Sequence, residues 1–183
     1  MKQEWVAFVG SLRKGSYNRA LFRAFKSQVP ADVTVEESDI AALPFYNPDL
    51  DPPYAARNFW RLVRRADALV FITPEYNGSF PAVIKNGIDW ASRDPEGSSL
   101  PGKPTAILGA SMGNFGTLRA QMHLRQVLTF LNADVIHRPE VLLPLAHQKF
   151  QPGDILADDL AVGVIQELVH ALYQRVARSV AVS

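Results

Sequence analysis

The chain has 183 residues, no cysteine and a formal net charge of +1. That length is enough for one domain, residues 1–183, with a proper buried core. The missing thiols exclude disulfides, thiolate metal sites and a cysteine nucleophile, and the near-neutral charge gives no support to a nucleic-acid-binding face. No apolar run approaches the roughly 18 residues of a membrane helix. No charged-then-apolar leader precedes the first strand, so a cytoplasmic protein without membrane contact is expected.

The first strand is read in Trp5-Val6-Ala7-Phe8-Val9, and a helix with Ala20, Leu21, Ala24 and Phe25 at helical spacing follows. Between them lies Gly10-Ser11-Leu12-Arg13-Lys14-Gly15-Ser16-Tyr17-Asn18. A strand, a small-polar loop and a helix start suit an anion, because the first N–H groups of a helix are unpaired and carry the positive end of its dipole. Ser11, Ser16 and Asn18 add neutral donors, and Arg13 a planar fork for phosphate oxygens. The loop lacks the Gly-Lys-Ser/Thr ending of a mononucleotide P-loop and the three-glycine spacing of a dinucleotide fingerprint. The bland alternative is a plain helix cap at Ser16 or Asn18.

Val33 to Glu37 is the second strand candidate. Pro44, Pro48, Pro52 and Pro53 then exclude helix or central strand and predict an ordered loop anchored by Phe45 and Tyr46. Ala55 to Ala66 reads as a helix. Ala68-Leu69-Val70-Phe71-Ile72 reads as a strand buried on both faces. A helix over Val83 to Ala91 follows Pro81, and residues 93–103 form a polar loop. A fourth strand spans Thr105 to Gly109, a helix Leu118 to Leu131, and a short strand Asp134 to Ile136. The last helix carries Val164, Ile165, Leu168, Leu172 and Val176.

Five strands, each eventually followed by a helix, predict an α/β fold. The expected form is a doubly wound, five-stranded parallel sheet of flavodoxin-like order 2-1-3-4-5 with helices on both faces. Its ligand crevice lies at the carboxyl ends of strands 1 and 3. The loops after strands 1, 3 and 4 meet there. The second reads Thr73-Pro74-Glu75-Tyr76-Asn77-Gly78-Ser79-Phe80-Pro81, and the third Ala110-Ser111-Met112-Gly113-Asn114-Phe115-Gly116. An aromatic beside amide and carboxylate groups, with small residues opposite, suits a planar aromatic ligand with a phosphate tail.

The first loop, Pro74-Glu75-Tyr76-Asn77 with Lys85-Asn86-Gly87-Ile88-Asp89-Trp90, and Ser111-Met112-Gly113 together resemble the NADPH-dependent FMN reductase family, which includes quinone, chromate and azo-dye reductases. The resemblance covers nearly the whole chain. It implies bound FMN, NAD(P)H as co-substrate, a small-molecule electron acceptor and a homodimer or homotetramer. Carried over by motif, Ser11, Arg13, Ser16, Tyr17 and Asn18 hold the phosphate. Pro74, Glu75, Tyr76 and Asn77 line the isoalloxazine, and Ser111, Met112 and Gly113 border its pyrimidine side. Gly78 and Asn114-Phe115 depart from the family pattern beside the flavin face. The chemistry then resides on the cofactor, with no protein nucleophile and no metal.

Blander roles stand beside these. Glu75 either caps the next helix or pairs with Lys85 or Arg93, Asp89-Trp90 anchors a helix end, and Met112 packs or touches flavin. His123, His137, His147 and His170 lack metal-ligand spacing and are read as surface groups. Asp158-Asp159 is read as a solvated helix start. On the helix from Leu118, the residues Leu118, Met122, Arg125 and Thr129 oppose the core face and suggest a subunit contact, with Arg125 and Glu140 nominated as an ion pair across it. The rival function is an FMN-binding electron carrier without NAD(P)H oxidation. Such carriers tend to be acidic, which this chain is not.

Overall fold

The computed structural model describes residues 2–182. Its strands are β1 (Gln3–Val9), β2 (Val33–Glu37), β3 (Ala68–Ile72), β4 (Pro104–Ala110), β5 (Asp134–Val135), β6 (Val141–Leu143), β7 (Phe150–Gln151) and β8 (Ile155–Leu156). The helices are α1 (Tyr17–Lys26), α2 (Tyr54–Arg65), α3 (Ala82–Ala91), α4 (Leu118–Phe130) and α5 (Asp159–Val182). The main sheet is parallel, in the expected order β2-β1-β3-β4-β5. β1, β3 and β4 are central, and their apolar runs are buried on both faces, as a doubly covered parallel sheet requires. β2, at the edge, alternates buried with exposed residues at Val33–Val35.

Alternation along the strands feeds two cores. Trp5, Ala7, Val9, Val70, Ile72, Ala106 and Leu108 meet Leu21 and Phe25 of α1 and Ile165, Leu168 and Leu172 of α5. Val6, Phe8, Leu69, Phe71 and Ile107 meet Phe59 and Trp60 of α2, Ile84 and Ile88 of α3, and Leu124 and Leu128 of α4. The fifth strand position differs from the sequence reading. Two short strands share it: β5 pairs with the start of β4 and β6 with its end. Ile136 N–H still donates to Thr105 O at 2.8 Å, and residues 137–140 then leave the ladder, where Pro139 has no N–H to donate.

The proline-rich segment is held from α3. Asn86 donates to the carbonyls of Leu43 and Pro44 and accepts from Tyr46 N–H at 2.8 Å. Trp90 Nε1 donates to Pro44 O, and its ring meets Tyr46 edge-on. Tyr46 is therefore the anchor that was expected. Phe45 is not, because it is 80% exposed. At the far end of α2, Lys103 Nζ donates to the carbonyls of Val63 (2.6 Å) and Arg64 (3.2 Å), closing the last turn from outside the helix. Burial pulls this ammonium down to about 8, partly opposed by Asp67.

Arg125 corrects another expectation. Its guanidinium donates to Ile136 O at 2.7 Å inside its own chain, and Glu140 acts on it there rather than across a boundary. Burial lowers its proton affinity, with Glu140 opposing and Arg138 adding. Met122 and Thr129 are exposed as expected, and so is Phe130. Asp158 caps α5 by accepting from Ala161 N–H at 2.9 Å, as the helix-start reading required. It is not the solvated group expected there: ion-paired and hydrogen-bonded to Lys149, its carboxyl is held below the usual range.

Candidate functional site

The loops following β1, β3 and β4 meet at one edge of the sheet, and three contacts tie them. A Cβ at Gly10 would come within 2.6 Å of Ile84 and 3.0 Å of Pro74, so the first loop lies directly on the second. Asn18 joins the first loop to the third, donating to Ala110 O and accepting from Ala110 N–H, both at 2.9 Å. Gly109 sits beneath Thr117 and the carbonyl of Thr73 with no room for a side chain.

In the first loop, the Ser16 hydroxyl caps α1 by accepting from the N–H groups of Asn18 (3.2 Å) and Arg19 (3.3 Å). None of the N–H groups from Ser11 to Tyr17 has an acceptor among the described residues. Seven consecutive open amides at a helix start form the kind of concavity that binds an anion. Arg13 arches over the turn and donates to Gly15 O at 2.6 Å while staying exposed. Ser11 is buried. Tyr17 stacks on Phe150 of the β7–β8 hairpin, with ring centres 5.8 Å apart. Asn18 spends its carbonyl oxygen and one Nδ2–H on Ala110, so its side chain braces the pocket and keeps a single N–H to offer a ligand.

The second loop is a tight hairpin. Tyr76 and Ser79 exchange backbone hydrogen bonds of 2.8 and 3.0 Å around Asn77 (φ 52°) and Gly78 (φ 74°). Two successive left-handed residues are what a two-residue turn of type I′ demands, and Asn-Gly is its preferred pair. The glycine that departs from the family pattern thus has a backbone reason. Tyr76 is 51% exposed at the rim, and Pro74 is buried beneath it.

Glu75 fits neither pairing weighed for it. Lys85 bonds Asp89 instead, at 2.7 Å. The Glu75 carboxylate reaches α4, where Oε2 accepts from Arg119 N–H (3.1 Å) and Ala120 N–H (3.3 Å) and Oε1 accepts from Arg119 Nε (2.6 Å). Helix α4 needs this. Its first flanking residue, Thr117, has φ 72° and makes no side-chain cap. His123 Nδ1 adds a contact of 3.1 Å to Ser79 Oγ, so α4 grips the hairpin at two places one turn apart. Sequence reading missed Arg119, Ser79 and His123 as partners, since their separation of 44 residues leaves no local signal.

In the third loop, Ser111 N–H donates to Leu143 O, and the Ser111 and Gly113 carbonyls accept from Ala146 and Leu145 N–H. These bonds fix the loop against the segment after β6. The N–H groups from Met112 to Thr117 have no acceptor among the described residues. Met112 and Phe115 stand out at the rim, and Arg119 lies over the Phe115 ring at 5.1 Å. Open amides beneath an apolar and aromatic rim suit a flat ring bearing carbonyl acceptors, beside an anion cradle for a phosphate. The residues present fit FMN. All four histidines are exposed, and no group of three metal-ligating side chains occurs among the described residues.

The family profile described as NADPH-dependent FMN reductase matches residues 4–148. The chain belongs to that family. An NAD(P)H-dependent FMN reductase of Pseudomonas aeruginosa is 49% identical over 166 residues, covering 89% of each chain. A quinone reductase of Escherichia coli K12 is 40% identical over 162 residues, covering 85% of this chain and 86% of its own. Among solved structures, the NAD(P)H:(acceptor) oxidoreductase FerB of Paracoccus denitrificans superposes with a TM-score of 0.89 at 31% identity, covering 96% and 98%. In the family's pattern Lys85-Asn86-Gly87-Ile88-Asp89-Trp90 is an architectural segment here. Its Asn86 and Trp90 hold the proline-rich loop.

Proposed function

We infer that this chain is an NAD(P)H-dependent FMN oxidoreductase that reduces quinones and similar small acceptors. The observation that carries the reading is the run of seven open amides at Ser11–Tyr17, set where the three loops of an FMN reductase family member converge. When bound, FMN supplies the two-electron chemistry between NAD(P)H and the acceptor. The Ser11–Tyr17 amides, the Ser11 and Ser16 hydroxyls and Arg13 bind the phosphate. Tyr76 with the 75–79 hairpin walls one side of the ring, and the amides of 112–117 face its polar edge, where they favour developing negative charge. The exposed rim leaves one open face for both substrates in turn.

No helix among the described residues is long and apolar enough to cross a membrane, and the proposed compartment is the cytoplasm, where NAD(P)H is at hand. The proposed assembly is a dimer or dimer of dimers, supported by the exposed Met122 and Phe130 on α4. Light scattering should then give at least twice the 20.3 kDa chain mass.

The test of the function is an absorption spectrum, chromatography of the released cofactor, and steady-state kinetics with a benzoquinone. FMN release and parallel double-reciprocal lines are expected, the pattern of two substrates using one site alternately. FAD, colourless protein that takes up no FMN, or intersecting lines contradict the reading. FMN binding without NAD(P)H oxidation makes the chain an electron carrier instead.

A further inference from the structure

Glu75 is the buried carboxylate of the site edge, with its side chain 8% exposed. A carboxylate so placed is held by its hydrogen bonds, and among the described residues its partners all lie on α4. Helix α4 begins without a local side-chain cap because left-handed Thr117 offers no side-chain acceptor to the first-turn amides. The Thr117 hydroxyl instead accepts from Gln121 Nε2 at 3.1 Å. The hairpin has a matching deficit. Within the hairpin, among the described residues, only the Tyr76–Ser79 pair and two left-handed residues hold its shape, with His123 touching Ser79 Oγ from outside, and so small an isolated ladder is marginal in water. One carboxylate meets both needs, and its charge also suits the positive end of the helix dipole.

We propose that Glu75 is a positioning residue. By accepting from the Arg119 and Ala120 amides it latches the Tyr76–Ser79 hairpin to α4, and so sets the wall against which the flavin ring lies. The proposal rests on the FMN reading for what the wall serves, but the latch itself exists in the flavin-free protein. Glutamine at position 75 keeps an acceptor for the two amides, and alanine keeps none. Methionine at position 119 keeps the amide bonds and removes the ion pair.

The experiment measures amide hydrogen exchange at Tyr76, Ser79, Arg119 and Ala120 in flavin-free full-length protein, then FMN affinity and the visible spectrum of bound FMN. Glu75→Ala should speed exchange at these amides at least about tenfold, since two charge-assisted bonds are lost. It should also weaken FMN by a similar factor and return the bound spectrum toward that of free FMN. Glu75→Gln should restore exchange and spectrum to within about threefold of native and to the native band shape. Arg119→Met should leave hairpin exchange within the same limit. Native exchange in Glu75→Ala overturns the proposal. So does Glu75→Gln behaving like Glu75→Ala, or a tenfold rise in Arg119→Met, which would put the latch in the ion pair. If Glu75→Ala does not fold, the glutamine and methionine variants decide. If native protein binds no FMN, the function proposed above falls while the exchange comparison still judges the latch.

Discussion

Two helices start at the same edge of the sheet and are finished in opposite ways. At α1 the Ser16 hydroxyl serves the amides of Asn18 and Arg19, and the seven amides before them stay open. At α4 the local residue Thr117 offers no cap, and Glu75 closes the first turn from a different loop while Arg119 balances its charge. Both helix starts carry the same dipole and the same kind of orphan donors. Both leave a run of open amides before the first turn, Ser11–Tyr17 and Met112–Thr117, but only the first faces them with Arg13 while the second has a carboxylate at its first turn. An anion is favoured where a cation rather than a carboxylate faces the helix start, and that distinction supports the proposed phosphate site at α1.

The largest effect expected from breaking this arrangement comes from Gly109→Ala. The added methyl would collide with Thr117, which leads into α4, and with the carbonyl of Thr73 in the loop after β3. Overpacking against backbone should destabilise by about 3 kcal/mol, lowering Tm by roughly 6–12 °C. Unchanged melting would mean that the start of α4 is free to move.

Arg13→Ala addresses the open end. Loss of a charge-assisted bond to phosphate should weaken FMN about 10- to 150-fold, while riboflavin affinity stays unchanged. Equal losses for both ligands would make Arg13 a brace for the loop through its bond to Gly15 O. Asn18→Ala provides the control between the two ends. It strands the Ala110 N–H and C=O groups and should destabilise by about 1–3 kcal/mol. FMN and riboflavin should weaken together and less than tenfold, an estimate from the bracing role alone. A loss confined to FMN would return Asn18 to the phosphate.

The smallest effect concerns a helix end closed like that of α4, by a side chain from elsewhere. Lys103 sits against the last carbonyls of α2, and its ammonium titrates near 8 in the folded state, below its ordinary 10.5. Between those values the unfolded chain holds a proton that the folded one has released. Stability should therefore rise as pH rises through that window, with a slope of at most about one proton. Urea midpoints for Lys103→Met should show a flatter rise from pH 8 to 10. An unchanged slope would assign the effect to another group.

Much of this was legible in the sequence, and the gaps have physical causes. Ala68–Ile72 and Val33–Glu37 were read to the residue because each is bounded by helix-period or turn residues. The open start of α1 was legible because strand, small-polar loop and helix are adjacent in the chain. The closed start of α4 was not, because Glu75 and Arg119 come together only through β3–β4 pairing. The Asn77-Gly78 turn did carry a local signal, the dipeptide itself, which the sequence reading passed over in favour of the aromatic beside it. Phe45 was expected inside because it is aromatic, yet the loop is held by backbone bonds to Asn86 and Trp90 that need no Phe45 burial. Arg125 was assigned to a partner chain because helical spacing placed it outward. Its long side chain instead bends back to the carbonyl of Ile136, freed where the fifth strand breaks.

The central claim is that the open amides before and at the start of α1 take the FMN phosphate while the closed start of α4 does not. Amide hydrogen exchange with FMN and with riboflavin tests this most directly. FMN should slow exchange across Ser11–Tyr17 at least about tenfold, riboflavin should not, and Arg119 and Ala120 should exchange alike in both. Equal protection of Ser11–Tyr17 by riboflavin, or phosphate-dependent protection at Arg119 and Ala120 instead, would contradict the account.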